Sequence, residues 1–431
     1  MSSWPLTPLA DMSENSLMGE MSRRRALSAF GGMTAAGGLA AGVSGLGAAV
    51  FGTVAANAAG RSGTAARSGT AGLARRPGTL LWRQQAGNGP TVSSSKDPDA
   101  WVNVVAADGM VYVSSLAQAN GDCDTYAIEA ATGRLAWRTQ GLLPFDAGAG
   151  AVFGFEITGS GTAEVVALST GTGRTAWTYQ TSQWLNDYTP RGWLAYASDM
   201  VYIASGTTKF TPGIQPTLRA LDARTGRRVW AASLTGSGGQ DPAVADDILY
   251  TATNGRVVAL KGATGARRWE SDYISDFAIS ALFTADGIVC GNSMANDNAG
   301  LAFFALDDAT GRQLWQLSAN ADIAAVASDI VFFAVTAVNL DGTTSSALAA
   351  RYARSGKLAW TRAATGNVEM AAGNALYLSD GDNGATLVAM AATTGDTLWT
   401  YQLAAAVEDV AAADGVVYAA DAKGTLYALQ A

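Results

Sequence analysis

The 431-residue chain has no histidine. That absence removes imidazole general bases, Ser-His triads, His-ligated zinc or copper, and c-type haem attachment from the functions open to it. It has two cysteines, Cys123 and Cys290, so a disulfide framework is not what holds it together. A chain of this size buries enough surface to fold without such staples. Lysine is scarce as well, five residues beside 23 arginines, and the formal net charge of −8 argues against nucleic acid as a partner.

What is present is a repeat. Seven segments end in Trp, with Gly four residues earlier and a small or apolar pair nine to ten residues earlier. They are Ala127 to Trp137, Ala167 to Trp177, Ala220 to Trp230, Ala259 to Trp269, Ala305 to Trp315, Ala350 to Trp360 and Ala389 to Trp399. An eighth is divided between the chain ends: Tyr427-Ala428-Leu429-Gln430 supplies its front and Gly78-Thr79-Leu80-Leu81-Trp82 its back. Trp82 to Trp399 covers 317 residues in seven intervals, about 45 each, the period of a four-stranded propeller blade.

Each repeat carries short β-branched and aromatic runs ahead of the motif, such as Gly109 to Val113, Met200 to Ile203 and Val416 to Tyr418. Bounded by Asp and Gly, these read as strands and turns. A blade cannot bury its hydrophobic face alone, and an open stack leaves unpaired edges at both ends. A unit shared by the two termini solves both problems. The expected fold is therefore all-β: an eight-bladed β-propeller of four-stranded blades over residues 77–431, with the last blade closed by both chain termini. Cys123 and Cys290 then fall on the first and fifth blades, opposite each other and too far apart for a disulfide.

Within a motif the Ala-Leu part is expected on a strand, Thr-Gly in the turn and Trp on the outer strand. Eight indoles in equivalent places read as structural, blade-docking residues: Trp82, Trp137, Trp177, Trp230, Trp269, Trp315, Trp360 and Trp399. Here the sequence resembles the tryptophan-docking repeat, Ala-x-Asp-x-x-x-Gly-x-x-x-Trp, of the pyrroloquinoline-quinone (PQQ)-like propellers, over residues 78 to 431. The resemblance implies the fold. For function it implies a choice among quinoprotein dehydrogenases, non-catalytic outer-membrane assembly scaffolds and extracytoplasmic sensor halves of bacterial kinases. The motif Asp persists as Asp222 and Asp307, is Glu129 in the first copy, and is Ser169, Lys261, Tyr352, Ala391 or Gln430 elsewhere. Turn hydrogen bonds from a carboxylate must be missing or replaced in those copies.

Ahead of the repeats, Ser22-Arg23-Arg24-Arg25-Ala26-Leu27 precedes a mildly apolar stretch from Ala29 to Val54 and then Ala56-Asn57-Ala58. That is the layout of a twin-arginine export signal over residues 1–58, cut after Ala58. An uncleaved anchor is the alternative, although the many glycines make a poor membrane helix. Residues 59–76 read as a flexible linker. A secreted or extracytoplasmic monomer, without a transmembrane span in the mature chain, is expected.

Two sets of residues are candidates for binding. Repeat lengths of 55 and 53 residues, against 39 or 40 for the shortest, put surplus chain at Arg83 to Ala100, Gln180 to Gly192 and Gly206 to Thr217, all on one face. The second surplus segment, read with the Trp193 that directly follows it, holds Trp184, Asp187, Tyr188 and Trp193, a mixture suited to a sugar, peptide or planar ligand but equally able to pack over a blade edge. Acidic residues recur near the starts of the innermost strands: Asp146, Asp241, Asp276, Asp322, Glu369 and Asp409, with Asn103 in a similar place. They either converge as a negative ring for a cation or cationic group, or each caps backbone N–H groups at a strand entry.

The reading that combines closed ring, export signal and missing catalytic sets is a non-catalytic scaffold at the cell envelope. It would bind an envelope protein, a glycan or a small molecule, with no catalytic residue, metal or cofactor. The alternative is a dehydrogenase using PQQ with Ca2+. Enzymes of that family commonly carry an adjacent Cys-Cys pair under the quinone, which this sequence lacks.

Overall fold

A computed structural model describes residues 76–431 apart from 87–99, 118–122, 158–161, 185–191, 206–216, 234–241, 276–278, 286, 295–300, 320, 339–343, 364–365 and 382. The expected export signal and all but the last residue of the linker therefore lie outside the described residues. The rest forms eight four-stranded antiparallel sheets with consecutive strand order in seven of them. The eighth contains three strands from the C-terminus, and its outermost strand is Leu80–Gln85 from the N-terminal side. Blades 1 to 8 begin with the innermost strands Ala100–Ala107, Leu142–Gly148, Gly192–Ala197, Ala243–Ala245, Ile279–Ala285, Ala321–Ala327, Asn367–Ala372 and Val407–Ala413. Each innermost strand contacts the next, and that of blade 8 contacts that of blade 1, so the ring is closed. No helix of the described residues is long and apolar enough to cross a membrane.

One row of residues across each blade explains why the repeat is spaced as it is. In blade 1, Tyr112 of the second strand stands opposite Ala127 of the third, and Ala127 opposite Trp137 of the fourth. The row recurs as Phe153–Ala167–Trp177, Tyr202–Ala220–Trp230, Tyr250–Ala259–Trp269, Phe332–Ala350–Trp360, Tyr377–Ala389–Trp399 and Tyr418–Ala428–Trp82. In the ring-paired rows the aromatic and the indole lie 5.8 to 6.3 Å apart. Two large rings meet across a small residue only if that residue adds no bulk, and all these alanines are fully buried. Blade 5 departs from the pattern: Cys290 takes the aromatic place opposite Ala305.

The indoles tie blade to blade. Trp82 Nε1 donates to the Ala130 carbonyl of the next blade's turn, and Trp137, Trp177, Trp230, Trp269, Trp315 and Trp360 do the same to Thr170, Ala223, Gly262, Asp308, Ala353 and Ala392, at 2.6 to 2.9 Å. The hydrophobic core is accordingly a series of layers between blades; one unites Phe153 and Trp177 of blade 2 with Val201, Ile203 and Leu221 of blade 3. Every motif Trp follows a register shift, which interrupts the outermost ladder and makes that edge a poorer template for another strand.

The disc has two different faces. Turns between first and second strands and between third and fourth strands share one, the turn face. Hairpins between second and third strands, and the connections to the next blade, share the other, the loop face. On the turn face the motif carboxylate works as its position suggests: Asp222 Oδ1 accepts from Thr225 N and Oγ1, and Asp307 Oδ1 from Thr310 N and Oγ1. Where the acid is replaced the backbone holds the turn with the help of the motif Thr: Gly173 N donates to Ser169 O and Arg174 N to Thr172 Oγ1, and Gly265 N to Lys261 O and Ala266 N to Thr264 Oγ1.

Candidate functional site

Apart from Asp146, which lies nearer the turn face, the candidate residues belong to the loop-face end of the innermost strands and to the segments beside it. Asp187, Tyr188, Asp241 and Asp276 lie outside the described residues. Trp184 ends the outermost strand of blade 2, Thr175–Trp184, and Asp322 lies in the innermost strand of blade 6.

Strand register shows which of the others come together. Asn103, Trp193, Asp322 and Asp409 stand opposite Ser114, Ala204, Ala334 and Ala420. Each of those partners is two residues beyond its blade's aromatic in the second strand. The four positions therefore share one level of the ring, in blades 1, 3, 6 and 8. Asp146 sits deeper, opposite Phe153, and Glu369 occupies the bulge between Val368 and Met370. Trp193 was expected in a loop. It is instead the second residue of an innermost strand, buried against Tyr202, Leu218 and Leu249, because the alternation Trp193, Ala195 continues the core-facing side of that strand.

Two carboxylates act alike. Asp409 Oδ1 accepts from Val410 N at 2.9 Å and Oδ2 from Val104 N, in the innermost strand of the next blade, at 2.6 Å. Asp146 Oδ1 accepts from Ala147 N at 2.8 Å and Oδ2 from Tyr196 N, again in the next blade, at 2.7 Å. An innermost strand leaves backbone groups unpaired on its axial edge, and a carboxylate with two oxygens can satisfy one such group on each of two strands. Asn103 completes the series by donating Nδ2 to the Pro144 carbonyl. Blades 8, 1, 2 and 3 are thus clasped in succession across the innermost strands. Glu369 Oε1 accepts from Ser379 Oγ at 2.6 Å within its own blade.

Asp146, Glu369, Asp409 and Asn103 are all buried. Burial pushes the Asp146 carboxyl up to about 7, against the two backbone donors that favour its charge. Cys123, on blade 1, donates Sγ to the Leu142 carbonyl at 2.9 Å, and burial raises its thiol to about 12. Burial raises the Cys290 thiol as well.

One fully buried acid was not singled out in the sequence. Asp421 Oδ1 accepts from Lys423 N and Thr425 N, both at 2.9 Å, and Oδ2 accepts from Tyr427 OH at 3.0 Å. Its signal was the tight turn Asp421 to Gly424, where a short acid folds back on its own backbone. Among the described residues no three His, Cys, Asp or Glu side chains stand close enough together to hold a metal ion.

Comparison with known proteins agrees with this architecture. The PQQ-like repeat family model described as outer membrane protein assembly factor BamB matches residues 125–211, 215–375 and 364–431. No curated protein matches. Among solved structures, BamB from Moraxella catarrhalis is 16% identical, with a TM-score of 0.53, covering 82% of this chain and 99% of its own. The computationally designed Ika8 protein is 17% identical at 0.54, covering 80% and 100%, and the quinohemoprotein alcohol dehydrogenase from Comamonas testosteroni 15% at 0.52, covering 82% and 76%. Likeness at this level of identity speaks for the fold. With matched segments over more than half its length and a closed ring of eight motif-bearing blades, the chain belongs to the PQQ-like, BamB-type β-propeller family.

Proposed function

We propose that the protein is an extracytoplasmic, non-catalytic propeller that binds a protein, glycan or small molecule on its loop face. The observation that carries this reading is the commitment of the described acids near the axis. Asp146 and Asp409 each spend both oxygens on backbone N–H groups of two blades, and Glu369 accepts from Ser379. A dehydrogenase of the quinoprotein type needs free carboxylates for Ca2+ and for proton abstraction at one end of the channel. Asp146, Asp409 and Glu369 do not offer such groups, being engaged in these hydrogen bonds. The resemblance to BamB, an outer membrane assembly factor, and the twin-arginine pattern at Arg23 and Arg24 support a place at the envelope.

Recognition then falls to the loop-face segments, where Trp184, Asp187 and Tyr188 combine apolar contact with charge. The protein is expected to show no alcohol- or sugar-dependent dye reduction after incubation with PQQ and Ca2+, and no new visible absorption band. Turnover under those conditions would replace this reading with the enzymatic one. Changing both Arg23 and Arg24 to Lys should leave the protein inside the cell, and unchanged export would remove the twin-arginine part of the proposal.

A further inference from the structure

We propose that the turn-face rim of blades 3 and 4 docks on an anionic phospholipid surface. The proposal goes beyond the loop-face reading and does not depend on it. In the repeat a cation follows the turn glycine at Arg134, Arg174, Arg227, Arg312 and Lys357, and blade 6 adds Arg351, bonded to the Gly356 carbonyl, and Arg354, paired with Asp307. In blades 3 and 4 the third-to-fourth-strand turns and the strand starts that follow carry Arg224, Arg227, Arg228, Lys261, Arg267 and Arg268, all exposed, against Asp222 and Glu270. Asp222 is engaged by its own Thr225, and Glu270 pairs with Arg267. The two turns adjoin, because Trp230 of blade 3 donates to Gly262 in the turn of blade 4. On a chain of net charge −8 these six cations form a basic outer rim, with Asp199 and Asp247 bonded to the same turns through their backbone carbonyls on the axial side.

Apolar side chains share the rim. Of the six large hydrophobic residues exposed among the described residues, five flank these turns around the disc: Val229 inside the cationic patch, and Leu135, Tyr352, Leu358 and Leu398 elsewhere. Val229 among these cations suits the headgroup region of a membrane, where the charge meets phosphate and the apolar group enters the interface.

Nearer the axis, Asp199, Asp246 and Asp247 occupy first-to-second-strand turns of blades 3 and 4. The contact is therefore through the rim, with the disc tilted. In that pose the loop face stays open to a partner.

The test is cosedimentation of the full chain with vesicles of phosphatidylcholine, with and without about 30 mol% phosphatidylglycerol. The readout is the increment in binding due to the anionic lipid, so that any contribution of the N-terminal apolar stretch cancels. Combined substitution of Arg224, Arg227, Arg228, Arg267 and Arg268 by Gln should reduce that increment at least about thirtyfold, since each cation near such a surface contributes roughly a fivefold factor. Substitution of Arg83, Arg134, Arg138, Arg312 and Arg362 by Gln changes net charge equally outside the patch and should leave most of it. For the wild type the increment should vanish at about 0.5 M salt. The proposal is overturned if the patch variant keeps the wild-type increment, if both variants lose it equally, or if no increment exists. Melting curves of the variants matching the wild type keep the comparison free of folding defects.

Discussion

Gly78 donates its backbone N–H to the Gln430 carbonyl at 2.8 Å, and Gln430 N donates to Thr79 at 2.9 Å. Within blade 1 the same two bonds run from Gly133 to Glu129 and from Glu129 to Arg134, inside a single turn. The two ends of the chain thus rebuild, residue for residue, a turn that no covalent bond closes. Five further pairs from Leu80↔Leu429 to Gln85↔Thr425 continue it as a ladder. Deleting Val417 to Ala431 should abolish the cooperative melting transition, because it removes two strands of blade 8 and leaves Leu80–Gln85 without a partner. A wild-type transition in the truncated chain would refute closure.

Gly226 has φ of +68°, and a Cβ added there would lie 2.6 Å from the Trp177 ring, whereas Gly109, at φ +75°, has open space. Gly226→Ala should cost about 2–4 kcal/mol, combining left-handed backbone strain with displacement of the indole. Gly109→Ala should cost about 1 kcal/mol, the strain alone. Chemical denaturation of both variants separates the docking contact from turn strain; equal losses would mean that the indole yields freely.

Trp193 and Trp230 are predicted to be structural to a similar degree, each losing about 3–5 kcal/mol on substitution by Ala. Substituting Trp184 and Tyr188 together should weaken loop-face binding while leaving the melting temperature within a few degrees. A folded, stable Trp193→Ala protein with impaired binding would return that residue to the recognition surface.

Asp146 has a pH signature of calculable sign. Its carboxyl is raised from 3.8 to about 7 in the folded chain, so between those values the folded state holds a proton that the unfolded chain has released. Its contribution to stability is greatest below about pH 4, falls as pH rises to about 7, and is flat above. The difference in unfolding free energy between wild type and Asp146→Asn should therefore shrink with rising pH, at a slope approaching roughly 1.4 kcal/mol per pH unit. A difference independent of pH would show that the clasp does not titrate in this range.

Cys123 and Cys290 are buried and unbridged. A thiol reagent should label neither at neutral pH in the native protein, since both thiols are raised, and both in denatured, unreduced protein. Labelling that requires a reductant would indicate a disulfide between molecules.

The motif Trp residues could be placed from sequence because each is tied to a turn by a fixed count: four residues after a glycine and ten after the small residue it faces. The aromatic partners in the second strand could not, since loops of variable length separate them from the motif. The same variability hid the role of the axial acids. Asp146 and Asp409 looked alike in sequence and proved alike in hydrogen bonding, yet they lie at different depths, because a bulge precedes each at a different register. Trp193 was misplaced for a related reason: the boundary between surplus loop and strand carries no marker.

By itself the sequence determined the number of blades, the closure by the termini and the indole ring, because these follow from local periodicity and from an interrupted motif that only a ring can complete. It also determined the absence of imidazole chemistry. The tertiary structure decided what each axial carboxylate does and where the cations of neighbouring turns accumulate. Those outcomes depend on which unpaired N–H and which side chains the adjacent blade presents, a distance of some forty to fifty residues along the chain in most cases and of 305 between Asp409 and Val104. Hydrogen bonding between edges that meet only on ring closure leaves no pattern in the sequence.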